Sequence, residues 1–152
     1  MTGGPAIMLV EDNPDDEDLT LRALKRASVL NPVTVAHDGA EALEYLFPAG
    51  SADDAADVPL PGLILLDLKL PKVDGLEVLR RIRADERTRL IPIVVLTGSR
   101  EQEDVLAGYR GGANAYVRKP VKFSDFADAV RALGTFWLLL NEAAPEFSPL
   151  PD

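Results

Sequence analysis

GLILLDLKLPKVDG, residues 62–75, is the stretch on which the reading of this chain turns. Gly62 opens the unbroken apolar run Leu63-Ile64-Leu65-Leu66, and apolar residues without alternation mark a strand buried on both faces of a parallel sheet. The run ends on Asp67. A carboxylate at the end of such a strand is costly unless something charged or hydrogen-bonding meets it. The loop Leu68-Lys69-Leu70-Pro71 follows, and Asp74-Gly75 leads into a helical pattern with Leu76, Leu79 and Ile82 spaced for one face.

The same alternation extends in both directions. Toward the N-terminus, Ala6-Ile7-Met8-Leu9-Val10 reads as a first strand, stopped by Glu11-Asp12-Asn13-Pro14. A helix from about Asp15 to Ser28 follows, with Leu19, Ala23, Leu24 and Ala27 inward and acids in its first turn, where they suit the helix dipole. Val33-Thr34-Val35-Ala36 is a second strand, leading through Asp38-Gly39 to a helix in which Leu43, Leu46 and Phe47 share a face. Residues 48–61, PAGSADDAADVPLP, form a proline-bounded acidic surface loop, long for such a connection. Beyond Asp67, Ile93-Val94-Val95-Leu96 is the fourth strand, a fourth helix starts near Arg100, and Ala115-Tyr116-Val117 is the fifth strand, running into Lys119-Pro120.

A fifth helix carries Phe123, Phe126, Ala127, Val130, Leu133 and Trp137 on one side. Near its end a second stripe appears: Ala129, Ala132, Phe136, Leu139 and Leu140. That stripe either covers the rim of the core or forms a partner surface, and its offset from the main face favours the partner. The chain is expected to divide into a domain over 1–141, including this helical extension, and a loose tail over 142–152. Strands alternating with helices predict an α/β fold, a doubly wound parallel sheet with helices on both faces.

Composition narrows the function. At 152 residues, with 47% hydrophobic and 27% charged residues, the chain suits one packed domain. Net charge −9 argues against direct nucleic-acid binding, which needs a basic surface. No apolar run is long enough to span a membrane, no signal peptide is legible, and cysteine is absent, so the expected compartment is the cytoplasm.

In an open parallel sheet, ligands sit outside the carboxyl ends of the strands. Those ends carry Glu11 and Asp12 after the first strand, Asp67 after the third, Thr97 after the fourth and Lys119 after the fifth. Three crowded carboxylates raise one another's proton affinity or bind a cation, and an all-oxygen set suits a hard ion such as Mg²⁺. The ion would hold an incoming phosphoryl group in line with Asp67 as nucleophile. Lys119 is suited to pair with a phosphoryl oxygen, and the Thr97 hydroxyl to donate to another. An ordinary strand-end hydroxyl at Thr97 and a plain strand aromatic at Tyr116 stand as the simpler readings of those two positions. His37, the one histidine, ends the second strand with no partner legible and reads as structural or solvated rather than as a phosphoryl carrier.

This constellation resembles the receiver domain of two-component response regulators. The residues that carry the likeness are Val10-Glu11-Asp12-Asn13, Leu65-Leu66-Asp67, Pro71 with Asp74-Gly75, Val95-Leu96-Thr97, and Ala115 to Pro120, so that it spans residues 6–134. The resemblance implies a flavodoxin-like five-stranded sheet in the order 2-1-3-4-5. It implies that Asp67 takes a phosphoryl group from a sensor histidine kinase. It further implies that Asp12, Asp67 and the main-chain carbonyl of Lys69 ligate Mg²⁺ (or Mn²⁺), with Glu11 acting mainly through water. Thr97 and Tyr116 would switch together, re-shaping the face made by the fourth helix, fifth strand and fifth helix, and the Lys119-Pro120 bond would be cis. Such a chain is a phosphoacceptor with self-phosphorylation and self-dephosphorylation only, not an enzyme acting on other substrates. The acidic loop and the Phe136 to Leu140 ending are similar to the small stand-alone regulators paired with bacterial phytochromes, and a homodimer through the helix 4 to helix 5 face and the extension is the expected assembly.

Two positions depart from the commonest pattern of that family: Gly98 follows Thr97, and Lys69 is basic. Lys69 also bears on a rival class, the phosphatases with an aspartate nucleophile, whose second acid stands two residues after the first; here that place holds a lysine. A receiver-like module that binds without being phosphorylated is the other alternative, and it would lack one of the acids or the lysine. All are present.

Overall fold

The computed structural model describes residues 6–26, 29–48, 59–97, 107, 109–118, 128 and 131–132. Five strands and three helices are defined: β1 (Ile7–Val10), α1 (Pro14–Arg26), β2 (Val33–Ala36), α2 (Gly39–Leu46), β3 (Leu63–Leu66), α3 (Gly75–Ala84), β4 (Ile93–Thr97) and β5 (Ala115–Arg118). Every pairing is parallel and the order is β2-β1-β3-β4-β5, as expected for the doubly wound, flavodoxin-like class.

The apolar runs explain this sheet. All four residues of β1 and of β3 are buried, because each strand has helices over both of its faces. The pleat sends successive side chains to opposite sides. Met8, Val10, Ile64, Leu66 and Ile93 join Ala42, Leu43 and Leu46 of α2 and Val78, Leu79 and Ile82 of α3 in one core layer. Ile7, Leu9, Leu63, Leu65, Val94 and Leu96 form the other, against Ala23 and Leu24 of α1. Each large side chain so placed contributes roughly 2 kcal/mol.

The helix faces differ in detail from the expected ones. In α3 the buried set is Gly75, Val78, Leu79 and Ile82, and Leu76 is only half-buried. The i, i+3, i+4, i+7 pattern starts at Gly75, which rotates Leu76 about 100° off the inward stripe. In α1 the buried residues are Thr20, Ala23 and Leu24, with Leu19 packed at the margin. Thr20 was invisible in the sequence because its hydroxyl reads as polar surface. Leu43 and Leu46 of α2 are buried as expected, and Phe47 packs partly buried beside them as the C-cap rather than inside the helix. Ala27 lies outside the described residues, as does all of 49–58.

Ala107, Tyr109 and Arg110 are helical, as are Asp128, Arg131 and Ala132, in the regions expected to hold the fourth and fifth helices. Asp128, Arg131 and Ala132 are exposed. The apolar residues from Phe123 to Leu140, Ala132 apart, and the Lys119-Pro120 bond lie outside the described residues.

Candidate functional site

Strand register builds the site. Val10 of β1 pairs with Leu66 of β3 on one side and Ala36 of β2 on the other. The ladder continues one residue past each strand: Glu11 N–H donates to Ala36 O at 2.9 Å, and Asp67 N–H donates to Val10 O at 3.1 Å. Glu11 and Asp67 are thereby held side by side on adjacent strands, whose spacing is about 4.8 Å. Asp12 completes a group in which one carboxylate oxygen from each residue lies within 4.8 Å of the others. Glu11 is 1% exposed and Asp67 8%, whereas Asp12 faces solvent.

The residues around the acids are tied down locally. Asn13 Oδ1 accepts from Asp15 N at 2.8 Å and Asp16 N at 3.1 Å, so Asn13 rather than a first-turn acid caps α1. Glu11 is tied to this helix start as well, since Asn13 N–H donates to Glu11 Oε2 at 3.4 Å. Beyond β3, Lys69 N–H donates to Asp67 Oδ1 at 3.1 Å and Gly75 N–H to Leu68 O at 3.0 Å. A Cβ on Gly75 would lie 2.6 Å from Leu68 Cα and would strike the Asp67 carbonyl, so only glycine lets α3 start this close to the site.

A third element supports the loop. Asp38 is the N-cap of α2, accepting from Glu41 N at 2.7 Å, and Lys72 Nζ lies 3.3 Å from its other oxygen. The Glu41 N–H chiefly, with Lys72 adding to it against the cost of burial, holds the Asp38 carboxyl below the usual carboxylate range. Nothing in the spacing of Asp38 and Lys72, thirty-odd residues apart, announced this contact.

Three carboxylates of one sign, two of them buried, are an unfavourable set alone and a favourable one around a divalent cation. Mg²⁺–oxygen bonds of about 2.1 Å put ligand oxygens up to about 4.2 Å apart, close to the span found here. The donors are all hard oxygens and one side of the group is open to water, which fits an ion that keeps part of its hydration. Mg²⁺ or Mn²⁺ is the cofactor this set suits.

Of the other expected site residues, Thr97 closes β4 with its backbone in register with Arg118, and Tyr116 sits in β5 opposite Val95. The side chains of both, and Lys119 entirely, lie outside the described residues. His37 does have partners: Nε2 is 2.7 Å from Glu17 Oε1, Nδ1 is 3.6 Å from Glu41 Oε2, and its own N–H donates to Glu41 Oε2 at 3.0 Å. It joins the first turns of α1 and α2, a structural role that neither helix pattern alone revealed. No helix among the described residues is long and apolar enough to cross a membrane.

Known proteins resemble this chain in sequence and in fold. Response regulator Rcp1 of Synechocystis sp. (strain ATCC 27184 / PCC 6803 / Kazusa) is 38% identical over 132 residues, covering 87% of this chain and 88% of Rcp1. The crystal structure of its Mn(2+)-bound form matches with a TM-score of 0.82 at 35% identity, over 93% of this chain and all of that one. The phosphorylated cyanobacterial phytochrome response regulator RcpA matches with a TM-score of 0.84 at 37% identity, over 94% of this chain and 100% of that one. The bacteriophytochrome response regulator AtBRR is 51% identical, with a TM-score of 0.70, over 92% of this chain and 99% of that one. Residues 7–131 match the family described as the response regulator receiver domain, and this chain belongs to that family.

Proposed function

We propose that this chain is a phosphorylatable signalling switch whose acceptor is Asp67. An Asp67 carboxylate oxygen bonds to phosphorus as the P–N bond to a sensor kinase's phosphohistidine breaks, leaving an acyl phosphate and a histidine reprotonated from water. Asp12, Asp67 and the main-chain carbonyl of Lys69 would hold Mg²⁺, with Glu11 acting mainly through water, and the bound ion would supply positive charge to offset that of the phosphoryl group. Lys119 pairs with a phosphoryl oxygen. Thr97 and Tyr116 carry the switch to the face formed by the fourth helix, β5 and the fifth helix. The observation that supports this reading is the meeting of Glu11, Asp12 and Asp67 within 4.8 Å at the carboxyl edge of the sheet.

The partner kinase in this reading is a bacterial phytochrome, an assignment supported by the likeness to RcpA and AtBRR. Residues 1–141 form the receiver with its helical extension and 142–152 its tail. The switched face and the extension make a homodimer, a reading supported by the exposure of Ala132, one member of the second stripe.

Intact mass after incubation with acetyl phosphate and Mg²⁺ tests the acceptor. Wild type should gain a single hydroxylamine-labile phosphoryl adduct and Asp67→Asn none, while both remain folded by circular dichroism. An adduct of equal yield on Asp67→Asn would remove Asp67 from the mechanism, and no labelling of wild type by either acetyl phosphate or a cognate kinase would leave only a binding role.

A further inference from the structure

The loop from Leu68 to Asp74 carries the Lys69 backbone, and it is fixed at both ends: by Asp67, whose Oδ1 accepts from Lys69 N–H, and by Gly75, whose N–H donates to Leu68 O. Its middle is held from elsewhere. Gly39, the first residue of α2, directs its N–H toward Pro71 O at 3.5 Å, and a Cβ there would collide with the Val73 carbonyl, so backbone meets backbone. Lys72 has φ +65°, the one non-glycine residue with positive φ among those described. A long side chain in that conformation is strained and persists only where its surroundings hold it. What Lys72 reaches is Asp38, with Nζ 3.3 Å from Oδ2, and the Asp38 side chain is only 15% exposed although Lys72 is 69% exposed. The same carboxylate caps α2 through Glu41 N–H.

We infer that Asp38 and Lys72 are positioning residues for the metal site: together they latch the loop that carries Lys69 to the first turn of α2. The inference rests on the proposed Mg²⁺ site, in which the Lys69 main chain is a ligand. Neither residue is among the proposed ligands. An exposed ion pair has little effect on stability, so this latch acts on where the loop sits rather than on whether the domain folds. It also makes the start of α2 a place from which the site can be loosened without touching Glu11, Asp12 or Asp67.

Mn²⁺ affinity, read from the electron paramagnetic resonance signal of the free ion, tests this on the full chain. Asp38→Asn keeps an N-capping oxygen and removes the charge; Lys72→Gly removes the ammonium and accepts the positive φ without strain. Each should raise the Mn²⁺ Kd roughly five-fold, less than the ten- to hundred-fold typical for groups bonded directly to a ligand. The double variant should lose no more than the larger single change, because both remove one contact. Lys72→Gly should keep or raise the melting temperature while affinity falls, a split that a merely stabilising contact would not give. Exchange of the Lys69 amide, followed by NMR, should speed up in both variants. Kd values within two-fold of wild type, or losses that add in the double variant, would overturn the latch while leaving the metal site intact. Wild type that binds no Mn²⁺ would overturn the site and the latch with it. Should Asp38→Asn fail to fold, Lys72→Gly decides alone.

Discussion

Helix α3 begins at one edge of the sheet and ends at the other, about 15 Å away, and the two edges treat charge in opposite ways. At its first residue, Gly75, lie three carboxylates of like sign. Near its last turn Arg83, half-buried, spends its donors on neutral oxygens: Nε on Gly112 O at 2.9 Å, one terminal nitrogen on Arg89 O and Ile91 O at 2.8 and 2.7 Å, the other on Asn114 Oδ1 at 2.8 Å. Arg87 adds a bond to Leu46 O, and Thr88 Oγ1 donates to Ile82 O. Burial pushes the Arg83 pKa down. The amino edge of β4 and β5 is thus closed by its own hydrogen bonds, as an edge that has only to hold together should be. The carboxyl edge concentrates charge that calls for a cation from outside. The contrast separates a structural use of charge from a functional one by what surrounds it, not by residue type.

Exchanging glycine at the acid end of α3 should give the largest effect. Gly75→Ala would gain helix propensity anywhere else. Here the new methyl group must displace the Leu68 and Asp67 backbone, so urea denaturation should show a loss of about 3 kcal/mol, together with loss of Mn²⁺ binding. A neutral Gly75→Ala would mean the loop is free to move, and with it the Lys69 main chain. At the other end, Arg83→Met keeps the apolar stem and abandons four acceptors. It should cost about 2–3 kcal/mol in the same experiment, with Mn²⁺ affinity unchanged. If affinity falls as well, the two edges are coupled and the comparison fails.

Asp12→Asn should act with the opposite sign. In EDTA, removing one of three like charges should stabilise the fold by about 1 kcal/mol. With Mg²⁺ in excess, wild type should overtake the variant, because only wild type gains fully from ion binding. Melting curves with and without Mg²⁺ give both numbers, and curves that do not cross would argue that the cluster holds no ion.

How far the sequence reaches follows from the same contrast. Asp67, Glu11 and Asp12 were legible because each interrupts or ends an apolar run, and parallel register then brings them together without further information. The five strands were legible for the same reason, whereas their order in the sheet followed from the family resemblance. Arg83 was not, since its acceptors are carbonyls up to 31 residues away and any arginine on a helix reads as solvated. Asp38 and Lys72 meet only because two loops converge, and Thr20 was hidden by its hydroxyl. In α3 Leu79 and Ile82 lie on the expected stripe, and Leu76 alone is off it, because the stripe begins with a glycine that carries no hydrophobic signal.

Between the two edges α3 shows a third treatment of charge, the surface ion pair, and it should give the smallest effect. Glu77 accepts from Arg80 Nε at 2.8 Å and a second Arg80 nitrogen at 2.5 Å, and from Arg81 Nε at 3.2 Å. The Arg80 bonds first, and then Arg81, pull its pKa from 4.5 down to about 2. A carboxyl depressed in the folded state contributes stability that is complete above its unfolded value and lost as pH falls through the folded one. The Glu77 contribution should therefore be intact above pH 4.5 and fade toward pH 2. Because pH acts on the rest of the chain as well, the informative quantity is the stability difference between wild type and Glu77→Gln at each pH. That difference should be small at pH 7, shrink as pH drops from 4.5, and shrink again in 1 M salt, because solvent and counter-ions screen a pair at the surface. A difference as large as that of Arg83→Met would mean that a surface ion pair holds this fold as strongly as the half-buried hydrogen bonds of Arg83.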